Sequence, residues 1–239
     1  MKPILLRTGR PVPALRDSHG EYESWFARQL GWPTDRLHLL DCTAVDASLP
    51  DAAGVDGVFV TGSSSSVHAR EPWSVRAGAW LAEAHAAGVP ILGVCYGHQL
   101  LADALGGRAG PNPNGREIGL CEIEIAIEDP LFEGLSRVFS ALETHTDAVL
   151  ELPPGATVLA HNARTTVQAM AIGPTTRTVQ FHPEFDAVAL RTVIAARAVL
   201  IDAESGPGTA ARLHAAVVDV PTGPAILRNF ARHFLGTGP

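Results

Sequence analysis

Residues 90–107 read PILGVCYGHQLLADALGG, and this stretch limits most strongly what the chain can fold into. Ile91, Leu92, Gly93 and Val94 form a mostly apolar run that predicts the end of a buried strand, whereas Leu100, Leu101 and Leu105 follow helical spacing over 99–105. Strand must therefore give way to helix within a few residues. Cys95 stands at that junction, with Gly93 and Gly97 two residues to either side. Small neighbours are what a sharp strand-to-helix turn needs when a nucleophile stands on strained backbone. A thiol placed there lies at a helix N-terminus, where unpaired N–H groups and the helix dipole favour thiolate. The N–H of Tyr96 would face an oxyanion forming on the attacked carbon. The competing reading makes Cys95 a small core side chain, the commoner fate of a free cysteine. The flanking glycines and the partners found further along favour the nucleophile.

Composition narrows the setting. A chain of 239 residues suits one α/β domain, expected over 1–239, with a core that needs no staples. Net charge is −7 and no stretch concentrates Lys and Arg, which argues against nucleic acid as a partner. Cys42, Cys95 and Cys121 are odd in number and lack a CxxC pair, so neither a disulfide framework nor a metal site is expected. The opening MKPILLRTGRPVP reads as a short strand and a polar turn, too brief for a signal peptide, and no run approaches the length of a membrane span. The expectation is a reducing, cytoplasmic location with no membrane partner.

Along the chain, Ile4–Leu6 predicts a first strand, 8–13 a loop, 18–30 a helix carrying Tyr22, Trp25, Phe26 and Leu30 on one face, and Leu37–Leu40 a second strand. A third strand covers 57–61, followed by a helix over 72–87. This alternation up to Cys95 implies a parallel sheet wrapped on both faces, with ligands at the carboxyl ends of its strands. Two loops leave such ends. One is the turn at Cys95; the other is TGSSSSVHAREPW from Thr61, whose small residues would let the N–H of Ser63 or its neighbour approach a substrate oxygen. A plain polar surface loop remains the alternative. From Cys121, CEIEIAIED alternates in strand fashion, and short strands at 158–160, 167–171 and 178–181 predict a small antiparallel layer beside the main sheet. Helices are expected over 187–201, 210–217 and 224–235.

A nucleophilic cysteine needs a base, and the base needs an orienting partner. His182 follows the strand-like VQF and is succeeded by Pro183 and Glu184, so that a carboxylate two residues on can fold back onto the ring. GVCYGHQLLADALGG followed by QFHPE, with GREIG from Gly115, THTDAVLELPPGATVLA from Thr144 and ILRNF from Ile226 in between and beyond, resembles the class I glutamine amidotransferases. The likeness spans about residues 57 to 235. Within that family the chain is similar to stand-alone domains like the amidotransferase part of GMP synthetases and to γ-glutamyl peptidases, and TGSSSSVHAREPW resembles the peptidase loop in particular.

The resemblance implies a Rossmann-like, flavodoxin-like fold with a mostly parallel central sheet flanked by helices. It further implies Cys95 as nucleophile, His182 as base and acid, and Glu184 as the residue orienting His182. Backbone N–H groups of Ser63 and Tyr96 would form the oxyanion hole. Gly62, Gln99, His145, Thr146 and Asp147 would bind the glutamyl group. No cofactor is required by such a reaction, and the substrate would be glutamine or a γ-glutamyl compound. Three activities follow as expectations: a self-sufficient hydrolase of γ-amide or γ-glutamyl bonds, a glutaminase delivering ammonia to a separate synthetase subunit, and a catalytically silent regulatory subunit. The triad residues count against the last. No phosphate-binding Lys loop or nucleotide motif is present, so acceptor chemistry would belong to a partner.

Overall fold

The computed structural model describes residues 2–237; Met1, Gly238 and Pro239, at the ends of the expected 1–239 domain, lie outside the described residues. In chain order the strands and helices are β1 (Ile4–Arg7), α1 (Pro13–His19), α2 (Tyr22–Leu30), β2 (His38–Asp41), β3 (Val58–Val60), α3 (Pro72–Ala86), β4 (Ile91–Val94) and α4 (Tyr96–Ala104). There follow β5 (Arg108–Pro111), β6 (Glu117–Ile125), β7 (Val138–His145), β8 (Asp147–Glu151), β9 (Ala156–His161), β10 (Ala169–Ile172) and β11 (Thr176–Val179). The chain closes with α5 (Ala187–Ala196), α6 (Ala198–Ser205), α7 (Thr209–Ala216) and α8 (Thr222–His233).

Nine strands form one sheet in the order β2-β1-β3-β4-β11-β10-β9-β6-β7. The first five run parallel to their neighbours, as the strand and helix alternation predicts, and the rest pair antiparallel. The central sheet is thus mostly parallel where it carries the predicted site, with helices on both faces. Alternate side chains of each parallel strand enter different cores. Leu5, Phe59, Leu92 and Val94 face α2 and α8, while Ile4, Leu6, Val58, Val60 and Ile91 face α3 and α4. Phe59 anchors the first core, meeting Phe26 and Phe230 edge-on at centroid distances of 5.8 and 5.4 Å.

Three elements differ from expectation. The helix predicted over 18–30 is two helices, because Gly20 takes φ +76° and Glu21 is extended. The helix predicted over 187–201 breaks at Arg197, whose φ of −108° and ψ of 10° leave the helical ladder. The strands expected as a separate antiparallel layer instead continue the main sheet: β11 pairs parallel with β4 on one edge and antiparallel with β10 on the other. Pairing there satisfies the edge of β4 that would otherwise be left with unused backbone groups. A small separate antiparallel pair does exist, but it is made by β5 and β8. No helix among the described residues is long and apolar enough to cross a membrane.

Candidate active site

Adjacent parallel strands β3, β4 and β11 end side by side, with Val60 paired to Gly93 and Val94 to Val179. The serine loop, Cys95 and the approach to His182 leave from these three ends. Cys95 caps α4 with φ +50° and ψ −99°, one of two non-glycine residues with positive φ among the described residues. Such a conformation costs about 1–3 kcal/mol and persists only where the surroundings impose it. Its neighbours do so. A Cβ on Gly93 would stand 2.6 Å from the carbonyl oxygen of Gly97, and one on Gly97 would stand 2.7 Å from Cβ of Val60. Cys95 N–H donates to the Val179 carbonyl at 2.8 Å, tying the turn to β11. Gly97→Ala is therefore expected to destabilise the fold by about 1–3 kcal/mol through overpacking against β3, read as a lower denaturant midpoint at unchanged m-value.

His182 reaches the turn because Gln180 N–H donates to Gln168 and His182 N–H to Leu142, continuing the sheet past β11. Its Nδ1 lies 2.8 Å from Glu184 Oε1. The carboxylate accepts from Nδ1–H, so in the neutral ring Nε2 carries the lone pair. That Nε2 is buried without a protein hydrogen-bond partner. Phe185 stacks on the imidazole at 4.2 Å and is itself met edge-on by Trp25 of α2 at 5.7 Å. The other side is closed by Gly62, where a Cβ would come 2.9 Å from His182 Cε1. Burial pulls the imidazole's pKa down, but the negative charges of Glu184 and of a Cys95 thiolate outweigh it and hold His182 well above its ordinary value. His98, by contrast, is fully buried with Nδ1 on Thr178 Oγ1, and burial together with nearby His145 brings it down to about 3. It is held neutral beside the turn.

The remaining predicted residues lie at a pocket of about 220 Å³. Ser63, Tyr96, Gln99, His145, Thr146 and Asp147 line it together with Cys95. Gly62 sits one step back, against His182 and Cys95, with its carbonyl occupied by the hydroxyls of Thr8 and Thr61. Tyr96 is the first residue of α4, so its N–H is unused by the helix. Its side chain points elsewhere: the hydroxyl meets Ser74 Oγ at 2.6 Å, the ring stacks on Trp73, and burial pushes the phenol up to about 12. Ser63 Oγ accepts from Ser65 N–H at 3.1 Å. Gln99 Nε2 donates to the Asp147 carbonyl and to Gln180 Oε1, so its amide N–H groups brace the wall. His145 also turns its ring inward. Nδ1–H donates to the Asp147 carbonyl at 2.8 Å, and Nε2 lies 3.2 Å from Glu117 Oε2 and 3.4 Å from Glu143 Oε2.

Glu117, Glu143 and His145 are the group of possible metal ligands found among the described residues, with donor atoms within 4.8 Å of one another. Glu117 accepts from Asn162, Thr165 and Gln168 as well. Burial opposes ionisation of Glu117, but its donors, His145 first, outweigh burial and lower its pKa. Burial, and then the charge of Glu117, push Glu143 well above the ordinary carboxylate value. A proton on Glu143 leaves Glu117 as the ionised carboxylate of the pair, and Glu117 has few lone pairs left to offer a cation.

Several residues here escaped sequence reasoning. Phe185 directly follows the predicted Glu184 and could have been read as part of the same string. Glu143 and the rest of β7 could not, because buried Glu143 and His145 disguise the apolar alternation of VFSALETH. Arg197 and Arg116 also border the pocket. Arg197 interrupts an Ala- and Val-rich stretch, the single local signal that marks it.

Comparison with known proteins gives the same frame. The model of the family described as Glutamine amidotransferase class-I matches residues 14–200. The GMP synthase [glutamine-hydrolyzing] of Aeropyrum pernix is 37% identical over 171 residues, covering 70% of this chain and 32% of that protein. A separate subunit of GMP synthase [glutamine-hydrolyzing] from Saccharolobus solfataricus is 48% identical over 99 residues, covering 40% of this chain and 51% of that protein. The chain thus spans about a third to a half of the length of these two relatives. Among solved structures, a glutamine amidotransferase from Thermotoga maritima superposes with a TM-score of 0.72 at 20% identity, covering 98% of each chain. One from Methylobacillus flagellatus gives 0.69 at 21% identity, covering 99% of this chain and 93% of its own. These two speak for the fold. With the family model extending over most of the sequence and the fold agreeing, the chain belongs to the class I glutamine amidotransferase family.

Proposed function

We propose that this protein hydrolyses the γ-amide of glutamine or a γ-glutamyl bond through a γ-glutamyl thioester on Cys95. The observation that carries the reading is that a thiol on a positive-φ turn and a buried His182, whose Nδ1 is held 2.8 Å from Glu184 Oε1, both lie against Gly62, where an added Cβ would stand 3.6 Å from Cys95 Cβ and 2.9 Å from His182 Cε1. The thiolate of Cys95 attacks the γ-carbonyl carbon, and the carbonyl electron pair moves onto oxygen. Backbone N–H groups of Tyr96 and Ser63 receive that oxyanion, each such donor being worth a factor of about 10² to 10³ in rate. The imidazolium of His182 gives its proton to the departing ammonia or amine as the C–N bond breaks. Neutral His182 then takes a proton from water, whose oxygen attacks the thioester, and returns it to the sulfur as glutamate leaves. Glu184 keeps the ring in the orientation both steps use. The backbone of 145–147, braced by Gln99, forms the wall that holds the glutamyl end.

A second reading rests on the relatives named as GMP synthase, in one case as a separate subunit of it. Here the chain is a glutaminase whose ammonia goes to a synthetase partner, and the site is held weakly active until that partner binds. Glutamate release by the purified chain alone, from glutamine and from γ-glutamyl peptides, separates the two. Turnover of a γ-glutamyl peptide that disappears in Cys95→Ala is the expected outcome for the hydrolase. Little turnover combined with labelling of Cys95 by a glutamine-like chloroketone would support the partner-dependent glutaminase. Absence of both would leave the regulatory role and overturn the catalytic reading.

A further inference from the structure

A pair of buried hydroxyls beside the turn is used by none of these steps. Strands β1 and β3 pair in parallel up to the bond from Thr61 N–H to the Leu6 carbonyl, at 3.1 Å. Beyond that bond two side chains continue the pairing. Thr8 N–H donates to Thr61 Oγ1 at 3.1 Å, and the Thr61 hydroxyl donates onward to the Gly62 carbonyl at 3.0 Å. Thr8 Oγ1 stands 2.9 Å from the Thr61 carbonyl oxygen and 3.1 Å from that of Gly62, and its one proton serves either. Both threonines are 0% exposed. Buried hydroxyls cost free energy unless bonded, and packing alone would be served as well by valine. Next in the chain, Gly9 lies so close to Ser63 that an added Cβ would stand 2.7 Å from Ser63 Oγ. The end of β1 is thus a cradle for the peptide that joins Gly62 to Ser63.

A trans peptide is planar, and its C=O and N–H point in opposite directions. Strand β3 lies between β1 and β4 in the sheet. A Gly62 carbonyl turned to the β1 side, onto the two hydroxyls, therefore sends the N–H of Ser63 to the β4 side. Cys95 directly follows β4, and an added Cβ on Gly62 would stand 3.6 Å from Cys95 Cβ. Ser63 lines the pocket together with Cys95, and its N–H donates to no group among the described residues. The hold on one end of this peptide sets the direction of the other.

We infer that Thr8 and Thr61 are positioning residues for the reaction: by clasping the Gly62 carbonyl they aim the Ser63 N–H at the oxyanion formed beside Cys95. The inference rests on the hydrolase reading and adds to it two residues that do not touch the substrate. They act through one peptide plane.

The test compares the protein with Thr61→Val and Thr8→Val, which remove a hydroxyl, and with Thr61→Ser and Thr8→Ser, which keep it. A misdirected donor costs less than the factor of about 10² to 10³ for a lost one, so Thr61→Val should lower kcat for glutamate release by about 10-fold. KM should stay within about 2-fold, because the oxyanion exists only in the transition state and the intermediate. Thr61→Ser should recover most of the rate. Thr8→Val, which keeps the backbone donor to Thr61, should show a smaller loss in the same sense, and it carries the test if Thr61→Val does not fold. Parent-like kcat in the valine variants would overturn the inference. So would equal losses in the valine and serine variants, or a rise in KM at unchanged kcat. If the parent turns over nothing, the hydrolase reading fails separately, and labelling of Cys95 decides the role of the threonines. Thr61→Val should then slow alkylation by a glutamine-like chloroketone, whose attacked carbonyl forms an oxyanion, and leave alkylation by iodoacetamide unchanged. Equal slowing of both reagents, or of neither, would count against it, and a parent that is neither active nor labelled would end both readings.

Discussion

Cys95→Ala is expected to reduce glutamate release by about 10⁶-fold while leaving the fold in place, because nucleophile and base act as one unit and removing either forfeits the covalent route. The side chain is 5% exposed and its backbone is tied to β11 through Val179, so the turn does not depend on the sulfur for its shape. Alanine keeps a Cβ at positive φ and so retains the local strain. Thermal unfolding should therefore change little while turnover disappears. A variant that kept more than about a hundredth of the parent rate would show that the thioester route through Cys95 is wrong. The same variant removes the thiolate facing His182, which should bring the imidazole's pKa down toward the value set by burial and Glu184.

Glu184→Gln should cost about 10⁴-fold in kcat, the loss expected when a base is left in the wrong tautomer rather than removed. Glu184 is 2% exposed and packs beneath a histidine stacked on Phe185, so the amide fits the same space. The pH dependence carries a sign that can be checked. Burial lowers His182, whereas Glu184 and Cys95 raise it, and the net effect in the folded protein is upward. A raised histidine stabilises the fold fully below its unfolded pKa of about 6.5, and that contribution is lost as pH rises through the folded value. In Glu184→Gln the stability should fall less steeply with pH across that alkaline window. The alkaline limb of the rate profile, where the imidazolium loses its proton, should move to lower pH. Chemical denaturation and kcat measured over about pH 6 to 10 read both effects, and an unshifted limb would separate Glu184 from the titration of His182.

The turn at Cys95 was legible in the sequence because its signal, a cysteine between two glycines where an apolar run meets helical spacing, is local. Gly93 and Gly97 are two residues away, and the contacts that forbid side chains there involve the turn itself and the adjoining strand β3. The link between His182 and Glu184 is local for the same reason, since a two-residue return through Pro183 brings Nδ1 to the carboxylate. Parallel strands up to β4 were legible because each is an apolar run followed by a helix, and a crossover helix between strands admits few arrangements. Each of these signals lies within one turn, one strand or one helix.

What joins distant segments had to come from the tertiary structure. Whether β11 belonged to a separate layer or to the edge of β4 depended on which unpaired edge was in reach, a choice its four residues do not encode. Gln168 meets Glu117 across 51 residues, and Arg197 meets Thr144 across 53. Strand β7 was hidden because its buried face carries Glu143 and His145, acceptable only where Glu117, Gln168 and a retained proton compensate them. The sequence by itself determined the strained turn at Cys95, the short return that brings Glu184 to His182, and the parallel half of the sheet, since backbone sterics and apolar periodicity act over a few residues. The tertiary structure alone decided which edge the antiparallel strands extend, which carboxyl is pushed well above its ordinary value, and which arginines border the pocket, because burial and charge pairing are properties of neighbours that only folding brings together.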